Sequence, residues 1–428
     1  MKKKSVSHSM GAFYALWATQ SLSSLGSAMT GYALIVWSYT QEGSALTTAL
    51  LTICSYAPYV ALSLFAGALS DRWDKKRTML LCDSFAAVTT VAVLLLLYSG
   101  RLALWHIYLV NLLSGAMNTL QQPASEVAVS VLAPAEQYQR VGGLRSLSNS
   151  LVTMLSPVLA TAFYGWGGLG AVILFDLGTF AAAFLALALF IRIPPVSRTD
   201  APEPVLTAAK AGLRYLWNHR GILDLMLFLA AINLTYAMYQ TALPALLLSR
   251  PNGGESVLAL VNACCGAANL MGSVAVSLLP RPRSRVRVIC NCLLLAMSTE
   301  NLLLALGRGP GLWCLGAVIA WLGIPVMNAN MEALLRITIP VELQGRVYAA
   351  RNTLQFFTIP LGSLLSGVLI DRVLEPFMAR QGETGFLAAL FGTGKGSGAA
   401  LLFLALAVLG VVTCLIFRRD RQIWALED

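Results

Sequence analysis

The stretch Gly67-Ala68-Leu69-Ser70-Asp71-Arg72-Trp73-Asp74-Lys75-Lys76-Arg77 decides the architecture. It is a short charged island between two long apolar runs, about 45–69 and 78–98. Two membrane spans joined by so few residues are antiparallel neighbours. The four basic residues Arg72, Lys75, Lys76 and Arg77 place their turn on the cytoplasmic side. So short a loop has no room for a domain, so its charges are expected to touch neighbouring helix ends. Gly67 permits close approach of another backbone, and Asp71 is suited to pair with an arginine or to cap a helix.

Composition agrees with a membrane setting. The chain is 57% hydrophobic and 12% charged, about half the charged fraction of a soluble domain. Its formal charge of +10 is read as topology and attraction to anionic lipid rather than nucleic-acid binding. The eight cysteines lie in or beside apolar segments without a Cys/His cluster, which predicts small buried thiols and no zinc. The basic N-terminus precedes an apolar run too long for a cleaved signal peptide, so it reads as a first span entered from inside.

Going outward from the island, twelve spans are predicted, near 11–38, 45–69, 78–98, 103–132, 142–165, 168–191, 221–248, 256–279, 287–307, 311–338, 346–371 and 398–417. Of the 30 basic residues, only Arg101, Arg250, Arg308, Arg372, Arg380 and Lys395 fall on the outer side. This asymmetry and an even span count support each other and put both termini in the cytoplasm. The one long inner connector, 192–220, starts proline-rich. It then places Leu206, Ala209, Leu213, Leu216 and Trp217 at helical spacing opposite Lys210, Arg214 and Arg220, an amphipathic helix on the inner leaflet. The predicted domains are therefore 1–191, a linker at 192–220, and 221–428.

The two halves repeat each other. Glu126, Pro134, Glu136, Arg140 and Arg145 recur as Glu332, Pro340, Glu342, Arg346 and Arg351, every one displaced by 206 residues. The shared pattern runs from span 4 into span 5 and from span 10 into span 11. Lys75 and Arg77 displaced by the same amount give Arg281 and Arg283 in a second basic loop.

The 67–77 island resembles the loop between helices 2 and 3 of the major facilitator superfamily, Gly-x-Leu-x-Asp-Arg followed by basic residues. Asp74 stands where that family has glycine. Ser24-Leu25-Gly26-Ser27, Pro123-Ala124, and Gln344-Gly345-Arg346-Val347 leading to Pro360-Leu361-Gly362 resemble its branch of bacterial macrolide efflux proteins and the enterobactin exporter. The resemblance implies an all-α membrane protein of two six-helix bundles, with spans 1, 4, 7 and 10 lining a central cavity. Two departures bear on coupling: span 4 lacks the arginine of other drug antiporters, and Ser156-Pro157 replaces their Gly-Pro.

No catalytic or nucleotide-binding motif is present, so neither an enzyme nor an ATP-driven pump is expected, and no cofactor or metal. Intramembrane acids are the first candidates for function because burying their charge is costly. They are Asp83, Glu126, Asp176, Glu300 and Glu332. Glu126 and Glu332 stand on cavity spans. Functionally they would exchange protons or attract a cationic substrate. Structurally they would pair with Arg140, Arg145 or Arg351 across an inner gate, with Arg346 as the repeat partner of Arg140. Asp83, Asp176 and Glu300 lie on spans that the resemblance turns away from the cavity, and packing is expected of them. The cavity candidates are Gln20 on span 1, Asn233, Tyr236 and Gln240 sharing one face of span 7, and Met327, Asn328, Asn330 and Met331 on span 10.

The implied activity is proton-coupled export of a small amphipathic organic molecule by alternating access, performed by a monomer in the bacterial inner membrane. Asp71, Arg72 and the nearby basic residues would latch the inner ends in the outward-open state. A siderophore or lipid-like substrate is the alternative within this class, and a membrane enzyme or sensor the alternative outside it.

Overall fold

The structure is a computed structural model that describes residues 10–132, 138–194, 214–278, 282–339, 341–381, 385–392 and 394–427. It is helical, with no strand among the described residues. The long helices are α1 Met10–Glu42, α2 Ala45–Arg72, α3 Lys75–Tyr98, α4 Leu104–Leu132, α5 Tyr138–Leu185, α6 Arg220–Ser249, α7 Glu255–Leu278, α8 Arg285–Leu306, α9 Pro310–Thr338, α10 Val341–Val368 and α11 Ser397–Arg418. α5 breaks at Gly167–Gly168, where Gly168 takes φ +65°, a value L side chains rarely adopt. That break coincides with the predicted boundary between spans 5 and 6. α10 continues through a π-helical turn, Leu369–Leu374.

Among the described residues, nine stretches are long and apolar enough to cross a bilayer. α1 and α4 are also of spanning length but fall outside that set, and both carry many serine, asparagine or glutamine residues. The figure of twelve crossings therefore rests on the sequence. On α3 the exposed side chains Leu81, Phe85, Val88 and Leu95 recur at steps of four, three and seven. Such an unbroken apolar stripe suits lipid and would be unfavourable in water.

The 67–77 hairpin is explained by local chemistry. Only Trp73 and Asp74 separate α2 from α3. Asp74 is extended (φ −64°, ψ 123°) and its carboxylate accepts from the Arg77 N–H at 2.8 Å. The residue that departs from the family's glycine thus acts as the N-cap of α3, satisfying a donor the helix cannot satisfy itself. Lys76 Nζ donates to the carbonyls of Ala188 at 2.9 Å and Ile191 at 2.8 Å. A cation on the terminal carbonyls of a helix offsets the negative end of its dipole. Lys75 is buried. The side chains of Gly67, Asp71 and Arg72 lie outside the described residues, as do those of Arg140 and Arg346 and the first part of the amphipathic linker. The last turn of that linker keeps Leu216 buried and Trp217 exposed.

The chain forms two compact units, one of Met1–Leu34 with Cys54–Val205, the other of Ile35–Ile53 with Leu206–Asp428. In the first, α3 packs on α4 and α5 around Phe13, Leu16, Met79, Ala124 and Leu187. In the second, α9 packs on α7 and α8, α11 on α6 and α8, and α10 on α6. Its core holds Phe228, Leu293, Met331 and Leu335. The eight cysteines are free thiols.

Candidate functional site

The repeated carboxylates make equivalent ion pairs. In one unit Arg145 Nη1 donates to Glu126 Oε2 at 2.5 Å, and Arg145 Nη2 meets Oε1. In the other, Arg351 Nη1 donates to Glu332 Oε1 at 2.6 Å. Each partner lies 19 residues away, so each pair ties one helix to the next, α4 to α5 and α9 to α10, inside its own unit. The first pair is 42% and 47% exposed, whereas Arg351 is only 16% exposed. Solvent screening makes an open pair worth about 0–1 kcal/mol. A double-mutant cycle with Glu332→Gln and Arg351→Gln, read by thermal melts in detergent, is expected to give the larger coupling of the two pairs. Zero coupling in both would remove the clips.

Near the first pair, α1, α4 and α5 enclose a cavity of about 170 Å³ lined by Trp17, Gln20, Ser21, Ser125, Arg145 and Asn149. Trp17 Nε1 donates to the Leu144 carbonyl at 3.1 Å, and Ser21 and Ser148 share a hydrogen bond of 2.8 Å. Gln20 also reaches Asp83, which accepts from Gln121 Nε2 at 2.7 Å. Asp83 therefore belongs to a polar cluster with Gln20. Asp176 accepts from Ser27 Oγ at 3.1 Å, beside Gly26.

In the second unit, α6, α8 and α9 enclose a cavity of about 250 Å³. Four candidates line it: Asn233, Tyr236, Met327 and Asn328. Gln240 donates to the Tyr236 hydroxyl one turn away. Asn330 instead donates to its own helix at the Val326 carbonyl, 2.8 Å, and Met331 is enclosed in the apolar core. The same cavity is lined by Glu300 and Trp321. The sequence reading assigned Glu300 to packing because of its span. In the structure its carboxylate accepts from Tyr239 at 2.7 Å and from Trp321 Nε1 at 3.2 Å, in contact with the polar face of α6.

Residues 16–363 match the family model described as Major Facilitator Superfamily. The chain belongs to the major facilitator superfamily. This superfamily member is a multi-pass membrane transporter. It is 23% identical over 364 residues to macrolide efflux protein A of Streptococcus pyogenes, covering 84% of this chain and 90% of that protein. It is 26% identical over 208 residues to the enterobactin exporter EntS of Shigella flexneri, covering 48% and 50%. A bacterial homologue of the human lysosomal transporter Spinster, solved inward-facing and unoccupied, shares the fold. Its TM-score is 0.72 at 14% identity, covering 99% of both chains.

Two further carboxylates of this transporter escaped the sequence reading. Asp371, in the π-turn after α10, accepts from Ser44 Oγ at 2.6 Å and from the N–H groups of Ala45 at 3.1 Å and Leu46 at 2.8 Å. It thereby caps α2 at the end remote from the 67–77 hairpin. Glu375 accepts from the Gly396 N–H at 2.9 Å. Asp371 had no sequence signal, because its partners lie 325 to 327 residues away.

Proposed function

We propose that this superfamily member is a secondary active exporter of amphipathic organic compounds. It works by alternating access, is driven by proton entry, and acts as a monomer in the bacterial inner membrane with both termini cytoplasmic. Its working halves are 1–191 and 221–428, joined by the 192–220 linker. The observation that carries the reading is the pair of equivalent clips, Glu126–Arg145 and Glu332–Arg351, displaced by 206 residues. Two halves stiffened in the same way and linked by one connector suit rigid-body rocking around a site between repeats. The export direction is supported by the two relatives, whose names are those of exporters. A siderophore-like substrate is the second reading, favoured by the likeness to an enterobactin exporter.

In this reading Asp71, Arg72, Lys75, Lys76 and Arg77 form the inner latch, and Gly67 lets the helices close on it. Glu126 and Glu332 hold the clips, with Arg140 and Arg346 nearby in sequence. Gln20, Asn233, Tyr236, Gln240, Met327 and Asn328 contribute the polar and soft walls met by substrate. Asn330 and Met331 support those walls from behind. The test is uptake into inverted vesicles under an imposed pH gradient, with a panel of amphipathic toxins. Wild type is expected to concentrate some of them, and Asp71→Asn to slow that several-fold while still inserting. Glu126→Gln and Glu332→Gln are each expected to retain uphill transport at a reduced rate. If either variant moves substrate only downhill, that carboxylate carries the proton and the clip assignment fails. If wild type concentrates nothing, the exporter reading fails.

A further inference from the structure

We propose that the cavity between α6, α8 and α9 is a subsite for the positively charged group of an organic cation, with Glu300 as its counter-ion. This deepens the exporter reading by naming a substrate class and rests on it. Glu300 is 6% exposed, and both of its hydrogen bonds, from Tyr239 and Trp321, end on Oε1. It forms no ion pair among the described residues, and no lysine or arginine lines the cavity. A carboxylate enclosed in apolar surroundings is costly unless a cation or a proton accompanies it. The two donors on one oxygen fix the carboxylate's orientation rather than neutralise it.

The walls select among cations. Tyr236 meets Trp321 edge-on, with ring centroids 5.9 Å apart at 65°, and stacks on Tyr239 at 6.0 Å. Aromatic rings at a corner offer their negative faces to a weakly hydrated organic cation, an attraction that strengthens when water is excluded. Met297 and Met327 add polarisable surface. A small inorganic ion would lack the ring of oxygen ligands it needs. At about 250 Å³ the space is below the ~300–1,000 Å³ of whole-ligand pockets. It therefore takes a charged head group and a few carbons, while the rest of an amphipathic molecule extends past Asn328, which is exposed at the rim.

The test is equilibrium binding of benzyltrimethylammonium, a small cation whose charge does not titrate, to the full-length protein in detergent, with the neutral dye Nile red in parallel. Wild type is expected to bind both. Glu300→Gln is expected to weaken benzyltrimethylammonium at least tenfold, to leave Nile red within twofold, and to leave the melting temperature near wild type. Glu300→Asp is expected to recover part of the loss, and Trp321→Leu to weaken the cation several-fold. Equal cation binding by wild type and Glu300→Gln overturns the proposal, and so does parallel loss of both probes in Glu300→Gln and Trp321→Leu. If wild type concentrates neutral compounds in vesicles but binds no benzyltrimethylammonium, the subsite falls and the exporter stands. If it binds the cation through Glu300 but concentrates nothing, the reverse holds.

Discussion

Asp371→Ala is expected to lower the melting temperature in detergent by about 2 °C and to uncover the end of α6. The carboxylate takes three hydrogen bonds from one helix start, at 2.6, 3.1 and 2.8 Å. Losing a good N-cap costs about 0.5–2 kcal/mol. Hydrogen bonds to an ionised acceptor are roughly twice as strong as neutral ones, which puts this cap near the upper figure, about 2 kcal/mol. In a chain of 428 residues ~1 kcal/mol shifts the midpoint by about 1 °C. The cap does not act alone. Tyr39 shares a hydrogen bond of 2.7 Å with Ser249 and donates to the Ala245 carbonyl at 3.2 Å. Residues 35–53 are thereby fastened to the C-terminal elements, although the rest of α1 and α2 belongs to the other unit.

The proposed transport cycle would require this fastening to be released once per turn. Asp371→Ala is thus expected to raise the labelling rate of a cysteine placed at Ser249, with Asp371→Asn intermediate, since one amide oxygen still accepts. Unchanged labelling together with an unchanged melting temperature would show that the carboxylate is dispensable to this end of the molecule.

Gly272→Val is expected to damage the second unit where α7 crosses α9. A Cβ built at Gly272 would stand 2.3 Å from the Leu322 carbonyl oxygen and 3.1 Å from the Pro325 ring. The obstacle is backbone, so no side-chain rotation relieves it and α7 must move away from α9. Forcing extra carbon into a packed contact costs about 1–3 kcal/mol, and the helix that α7 would lean on, α9, carries Trp321 and Asn328. Folded yield and binding to the Glu300 cavity are expected to fall together, with Gly272→Ala intermediate. Gly311→Ala is the control: nothing lies within 4 Å of its added Cβ, so wild-type yield is expected. If Gly272→Val matches that control, the α7–α9 contact is looser than drawn.

The hairpin, the break between the fifth and sixth segments and the repeat were legible because each is written in local chemistry. Charge flanked by apolar runs marks a turn, Gly167–Gly168 permits a break, and a constant displacement needs no coordinates. Arg145 and Arg351, 19 residues from Glu126 and Glu332, were among the expected partners, but each pair ties two helices of one unit rather than bridging an inner gate. The departure at Asp74 proved informative once its helix start was known, because aspartate is as good a cap as the turn requires.

The facing of the helices was not legible. In a soluble protein, an apolar stripe against a polar remainder shows which way a helix turns. Here lipid and core are equally apolar, so a carboxylate on α8 and one on α4 look alike along the chain. Glu300 was assigned to packing by its span, whereas the rotation of α8 brings it to Trp321 and Tyr239. Asp371 met Ser44 only through folding, across a separation no local pattern encodes. The sequence by itself marked the apolar stretches, the constant displacement between the repeated residues and the charges that have near neighbours to pair with. The tertiary structure alone decided which buried acids share a cavity and which hold a distant helix, because in an apolar solvent orientation is set by packing between helices.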